Sequence, residues 1–319
     1  MKRTALIPLV PILAALVACG GDTGPLEVTT GFIEVGNGAE LYYEEMGRGL
    51  PVVMIHGGFL THRNWDDQFE VFAREGYRVV RYDARGHGRS LSIPGDFNHT
   101  EDLKIVLDEL GIEKAVLMGL SMGGYISSDF AVTCPDRVAG LVLVSPGITG
   151  YDFSQAEDIR IHYEEFGEDY ASRDPERIAR AFMRAWTDGP YRTPEETPAE
   201  VRERSLRMCL ESLNNTPDVE SREVRPEPPA IERLAEISVP TLAILATLDM
   251  PVITAIVDLY ERDIPDCRKI VIEDAAHAVN MEKPEEFNRA VLGFLRELGR
   301  QEPGTSGWSG EGDIPGRGE

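Results

Sequence analysis

The chain is short of positive charge: 32 Lys and Arg stand against 55 Asp and Glu, a formal net charge of −23 in 319 residues. So acidic a surface repels phosphate backbones and anionic headgroups, which argues against nucleic acid as a partner and against electrostatic docking on anionic lipid. Long apolar runs are also missing. Away from the N-terminus no stretch of 18 or more apolar residues occurs, so no membrane-spanning helix is expected in the body of the chain. Cysteine is scarce, at four residues, and no C-x-x-C or H-x-H spacing is present to hold a metal. No metal and no cofactor is expected. What remains is an ordinary apolar fraction of 42%, enough for a substantial core.

Residues 1–18 read as an export signal. Lys2 and Arg3 form a short positive start, and Ala5 to Ala18 an apolar segment too short to cross a bilayer as a helix. The segment ends Leu16-Val17-Ala18-Cys19-Gly20, where Leu16 is too bulky for the −3 position of a general secretory cleavage site. This ending resembles the lipobox of bacterial lipoproteins. The resemblance implies cleavage before Cys19, lipid attachment at its thiol and amino group, and a place on the bacterial cell envelope, periplasmic or outer. Residues 19–29 then read as a tether. Export permits disulfides, but Cys134, Cys209 and Cys267 allow at most one pair, and spacing names no partner.

From residue 31, apolar runs alternate with helical patterns. Phe32–Val35 and Leu41–Met46 read as an antiparallel pair joined through Gly36-Asn37-Gly38. Val52–Ile55, Tyr77–Tyr82, Lys114–Met118 and Ala139–Val144 read as strands, interleaved with helices over Asn64–Arg74, His99–Leu110 and Met122–Thr133. Such alternation implies a parallel sheet with right-handed crossovers. It breaks near Gly147. Residues 149–235 are charged, helix-prone and without a convincing strand, and read as a helical insertion. Alternation resumes with strand Thr241–Thr247, helix Ile253–Arg262, strand Lys269–Ile272 and helix Pro284–Leu298. The core is thus expected over 30–148 and 236–300. Residues 301–319, rich in Gly, Ser and Pro, read as a disordered tail.

Gly119-Leu120-Ser121-Met122-Gly123 fits G-x-S-x-G between a strand and a helix. The pattern demands a sharp turn that projects the Ser121 hydroxyl, with glycines leaving room for close backbone packing. A hydroxyl is a weak nucleophile and needs a base, and the base needs an orienting acid. Of six histidines only His162 and His277 follow Ser121. His162 lies in an acidic helical stretch and reads as a solvated face or cap residue. His277 lies between the last strand and the last helix, where a loop can carry it over Ser121. Asp249 follows strand Thr241–Thr247 at the strand's carboxyl end, where sites collect in open parallel sheets. Asp258 falls mid-helix and Asp274 only three residues before His277, so both are poorer candidates. An oxyanion would need two backbone donors. Met122 N–H is the first, and the second should come from His56-Gly57-Gly58-Phe59, with Gly58 preferred and Phe59 the alternate.

Together with Asp83-Ala-Arg-Gly-His-Gly-Arg-Ser90, Pro135-Asp136-Arg137-Val138 and the stretch from His277 through Pro284 to Phe287, these residues resemble the α/β-hydrolase superfamily over residues 31–300. The resemblance implies a mostly parallel eight-stranded sheet flanked by helices, with residues 149–235 as a helical cap. It is closest to the branch holding enol-lactonases, carboxylesterases, C–C bond hydrolases and cofactor-free haloperoxidases. Ala246-Thr247-Leu248-Asp249 departs from the family's G-x-x-D, and Ala276 stands where Gly often precedes the histidine. Neither removes a reacting group.

The expected activity is acyl transfer from a small-molecule ester, lactone or thioester through Ser121, His277 and Asp249. C–C bond cleavage and perhydrolysis would use the same residues, and a ligand-binding protein without turnover is the non-enzymatic alternative. Phe153, Phe182, Met183 and Trp186 are candidates to face substrate, as are Trp65 and His62.

Overall fold

A computed structural model describes residues 26–215 and 220–301. Cys19 and the rest of the export segment, and all but the first residue of the 301–319 tail, lie outside the described residues.

The strands are β1 (Val28–Val35), β2 (Ala39–Gly47), β3 (Pro51–Ile55), β4 (Arg78–Tyr82), β5 (Gly95–Phe97), β6 (Ala115–Leu120), β7 (Val138–Val144), β8 (Ser221–Glu223), β9 (Thr241–Ala246) and β10 (Cys267–Ile272). Eight of them form one sheet in the order β1-β2-β4-β3-β6-β7-β9-β10. β2 pairs antiparallel with both β1 and β4, and every other pair is parallel. This is the mostly parallel sheet implied by the resemblance. β1 begins inside the stretch read as a tether, so the core starts at Val28.

The central strands β3, β6 and β9 are buried at every position, because helices cover both faces. Alternation assigns each side chain to a face. Val53, Ile55, Leu117, Leu141 and Leu143 pack with Leu103, Val106, Phe130 and Tyr260 from α2 (His99–Glu109), α3 (Met122–Thr133) and α7 (Pro251–Asp263). Val52, Met54, Val116, Met118 and Val142 pack with Phe69, Phe72, Phe287 and Val291 from α1 (Asp66–Arg74) and α9 (Pro284–Gln301).

Between β7 and β9 lie α4 (Glu157–Ala171), α5 (Pro175–Phe182), a π-helical turn at Met183–Thr187 and α6 (Ala199–Asn215). The expectation of no strand here is corrected by β8, which pairs in parallel with β5 from Gly95↔Ser221 to Phe97↔Glu223. Both strands are three residues long and mostly polar, so neither carried a periodic apolar signal. Cys134, Cys209 and Cys267 are free thiols.

Candidate active site

Order along the sheet determines what meets at its carboxyl edge. β3 and β7 flank β6, and β9 and β10 follow β7. The loops after β3, β6, β9 and β10 carry Gly58, Ser121, Asp249 and His277 respectively.

Ser121 has φ 52° and ψ −106°, a left-handed conformation costly for a side chain with a Cβ. Its surroundings hold it there. Ser121 N–H donates to Val144 O at 3.0 Å, Gly123 N–H to His56 O at 3.1 Å, and Gly147 N–H to Ser121 O at 2.9 Å. The turn is tied to the ends of β7 and β3. The glycines are steric necessities: a Cβ on Gly119 would sit 2.0 Å from Gly123 O, and one on Gly123 would sit 2.1 Å from Ile55 O.

The loop after β3 is braced by His56. Ala84 N–H donates to His56 Nε2 at 2.9 Å, so the proton is on Nδ1, which donates to Gly57 O at 2.7 Å. Burial, aided by the charge of His87, pushes this imidazole down to about 3, so it stays neutral. Phe59 is left-handed, with φ 56°. No described residue accepts a hydrogen bond from the backbone N–H of Gly58, Phe59 or Met122. All three residues line one cavity with Ser121.

Asp249 and His277 meet directly. The imidazole Nδ1 lies 2.8 Å from Asp249 Oδ2 and 3.0 Å from Oδ1, and Met250 N–H donates to Oδ1 at 2.8 Å. A carboxylate across Nδ1 holds the proton there and leaves Nε2 as the basic nitrogen. That Nε2 is buried and has no hydrogen-bond partner among the described residues, the Ser121 hydroxyl included. The Trp186 ring, which lines the cavity, packs on the imidazole with centroids 4.6 Å apart, and Trp186 O accepts from His277 N–H at 3.3 Å. Ala246 and Ala276, the two departures, are both buried, and the Asp249–His277 pair forms with them in place.

The remaining acids stand apart. Asp258 pairs with Lys269 on the surface of α7 at 2.9 Å, and Asp274 is exposed and shapes its loop, its N–H donating to Thr247 Oγ1 at 3.0 Å.

The His277 loop is fastened from two sides. Ala276 N–H donates to Glu282 Oε1 at 2.9 Å, and Glu282 is clasped by Arg192 at 2.7 and 3.1 Å. Arg192 also donates to the carbonyls of Thr187 and Asp188 at 3.1 and 2.9 Å. Gly189, with φ 76°, lets this turn press on Leu248 O, where a Cβ would sit at 2.3 Å. On the other side Asn280 Nδ2 donates to Asn64 O at 2.8 Å and to Gln68 Oε1 at 3.1 Å.

The cavity beside Ser121 has a volume of about 430 Å³. Phe153, Phe182 and Trp186 line it, as expected, whereas Met183 does not. Trp65 is corrected to a core residue, fully buried near Phe287 with ring centroids 6.2 Å apart. His62 is corrected to an ion-pair network, bonded to Asp83 at 2.8 Å. The reading of His162 as a solvated residue is also corrected: it is 7% exposed, lines the cavity, and its Nε2 shares a hydrogen bond with the Tyr170 hydroxyl at 3.0 Å. Burial lowers its affinity for a proton, outweighing the charge of Glu165. The four-residue spacing of His162, Phe166 and Tyr170 was a signal of one shared helix face. Arg225 and Tyr125, also in the lining, carried no sequence signal.

Comparison with known proteins agrees with this architecture. Residues 52–290 match the model of the Alpha/beta hydrolase family. The chain belongs to the α/β-hydrolase family. It is 31% identical to a putative carbamate hydrolase of Azorhizobium caulinodans over 269 residues, covering 82% of this chain and 97% of that one. It is 28% identical to a 2-hydroxy-6-oxo-6-phenylhexa-2,4-dienoate hydrolase of Comamonas testosteroni, covering 81% of this chain and 91% of the other. Among solved structures, this α/β-hydrolase is similar to a thermophilic esterase from Thermogutta terrifontis, with a TM-score of 0.66 and 29% identity over 85% of this chain and 99% of the esterase.

Proposed function

We propose that this α/β-hydrolase cleaves a carboxylic ester, lactone or thioester by acyl transfer through Ser121. The observation that carries the reading is the Asp249 carboxylate across His277 Nδ1, which leaves a buried, unpartnered Nε2. Such a nitrogen costs about 1–3 kcal/mol to leave without a hydrogen bond, which suits a base whose partner arrives with the reaction. Hydrogen bonds of this kind commonly tighten only once substrate is bound.

In the proposed sequence the Ser121 hydroxyl attacks the acyl carbonyl and its proton passes to His277 Nε2. Asp249 holds the imidazole and stabilises its positive charge. The N–H groups of Met122 and Gly58, with Phe59 as alternate to Gly58, receive the oxyanion, aided by the N-terminus of α3. His277 returns the proton to the leaving alcohol or thiol. Water, deprotonated by His277, then releases the acid. The test is p-nitrophenyl acetate turnover by the wild type and Ser121→Ala. The variant should lose activity by a factor on the order of 10⁶ in kcat. Undiminished turnover would overturn the assignment.

The likeness to a C–C bond hydrolase keeps that reaction as the second reading, since it would engage the same three side chains. We also propose that the chain is exported and anchored through lipid at Cys19. Expressed in a bacterial host, the wild type should partition into Triton X-114 detergent and Cys19→Ala into the aqueous phase. Equal partitioning would remove the anchor from the account.

A further inference from the structure

Arg225 is the only Lys or Arg among the described residues lining the cavity beside Ser121. It stands two residues past β8, where the chain is pinned to the core by the β5–β8 pairing and by Val224 N–H donating to Phe97 O at 2.7 Å. Its guanidinium is already engaged. Nε and Nη2 both donate to Glu223 Oε2, at 3.0 and 2.8 Å, and the Tyr125 hydroxyl donates to the same oxygen at 3.3 Å. The guanidinium also lies 4.8 Å from the Tyr125 ring centroid. Most of the rest of the wall is rings and apolar chains, with Phe153, Ile159, Phe182 and Ile253 among them.

The electrostatics follow from this pairing. A substrate carboxylate entering the cavity would shed water against an apolar wall and find its one cation neutralised. At Arg225 it would have to settle beside Glu223, a carboxylate of equal charge that already takes Nε and Nη2. The pair is half exposed on the arginine side and contributes little to stability. Its effect falls on the sign of charge the cavity accepts. The surplus of 55 acidic over 32 basic residues acts the same way on approaching anions. A neutral ring-bearing or branched acyl group meets no such barrier and gains free energy from the apolar surface it buries.

We propose that Glu223 is a specificity-determining residue: by occupying Arg225 it closes the cavity to anionic acyl groups and reserves it for neutral, aromatic or bulky apolar ones. The inference rests on the acyl-transfer reading above.

The test compares kcat/KM for two p-nitrophenyl esters of matched shape, the monoanionic glutarate and its neutral methyl ester. The wild type should favour the neutral ester by about tenfold or more, the penalty expected for bringing a carboxylate to a cation already paired. Glu223→Gln should narrow that ratio by about fivefold, through a rise in kcat/KM for the anion as Arg225 is released. Glu223→Gln combined with Arg225→Gln should restore discrimination against the anion. Equal use of both esters by the wild type, or a ratio unmoved in a Glu223→Gln protein of unchanged melting temperature, would overturn the proposal. Turnover of neither ester by the wild type, or turnover that survives in Ser121→Ala, would instead overturn the underlying hydrolytic reading and this inference with it.

Discussion

His62 makes the stability of this protein depend on alkaline pH. Its backbone N–H and its Nδ1 lie 2.7 and 2.8 Å from Asp83 Oδ1, and its Nε2 lies 3.4 Å from Glu44 Oε1. Burial alone would lower the imidazole pKa, but the hydrogen bonds and charges of Asp83 and Glu44 outweigh it and carry it up to about 9. A histidine in the unfolded chain titrates near 6.5. The fold therefore favours the protonated form. The stabilisation is complete below about pH 6.5 and is lost as pH rises through about 9. The gap of roughly 2.5 pH units corresponds to about 3 kcal/mol. His62→Gln keeps a donor toward Asp83 but cannot carry charge. Urea unfolding of both proteins gives the stability difference at each pH, which cancels other alkaline titrations. That difference should shrink by about 3 kcal/mol between about pH 6 and about pH 10. A difference that stays constant, or grows with pH, would refute the reasoning.

Gly123→Ala places a methyl group against Ile55 O, and urea unfolding should show a loss of about 3 kcal/mol or more together with loss of activity. Glu282→Ala strips the partner from Arg192, whose side chain is 10% exposed, and frees Ala276 N–H. It should cost about 3 kcal/mol of stability and, on the proposed mechanism, lower kcat roughly tenfold with little change in KM, because it loosens the His277 loop and not the cavity. Asp129, bonded to the Thr149 hydroxyl, is pushed by burial up to about 7, against that hydrogen bond. Its protonated form is favoured in the fold, so the stability it contributes falls as pH rises from about 4 to about 7, and Asp129→Asn should raise the melting temperature at about pH 8.5 and much less at about pH 4.

The sheet was legible because its central strands are short, wholly apolar runs bounded by turn residues, a pattern that needs no tertiary information. The pairing of Asp249 with His277 was legible for a related reason: strand order brings the ends of β9 and β10 side by side, so position after a strand stood in for position in space. The acid survived as a candidate although its approach reads Ala246-Thr247-Leu248, since a buried alanine fits there. The features that were missed depend on contacts between distant segments. β8 exists because Gly95–Phe97 offers it an edge, about 125 residues away along the chain. His162 is buried because its helix packs it into the wall of the cavity beside Ser121, a placement that its acidic neighbours along the chain concealed. The Arg192–Glu282 clasp joins side chains 90 positions apart, and nothing local marks either as a partner.

A fluorophosphonate probe tests the central claim most directly, because it modifies only a serine hydroxyl whose proton can be removed. Peptide mapping of the labelled protein should place one adduct on Ser121, with labelling abolished in His277→Ala and strongly reduced in Asp249→Asn. An adduct on another serine, or undiminished labelling of Ser121 in His277→Ala, would contradict the account.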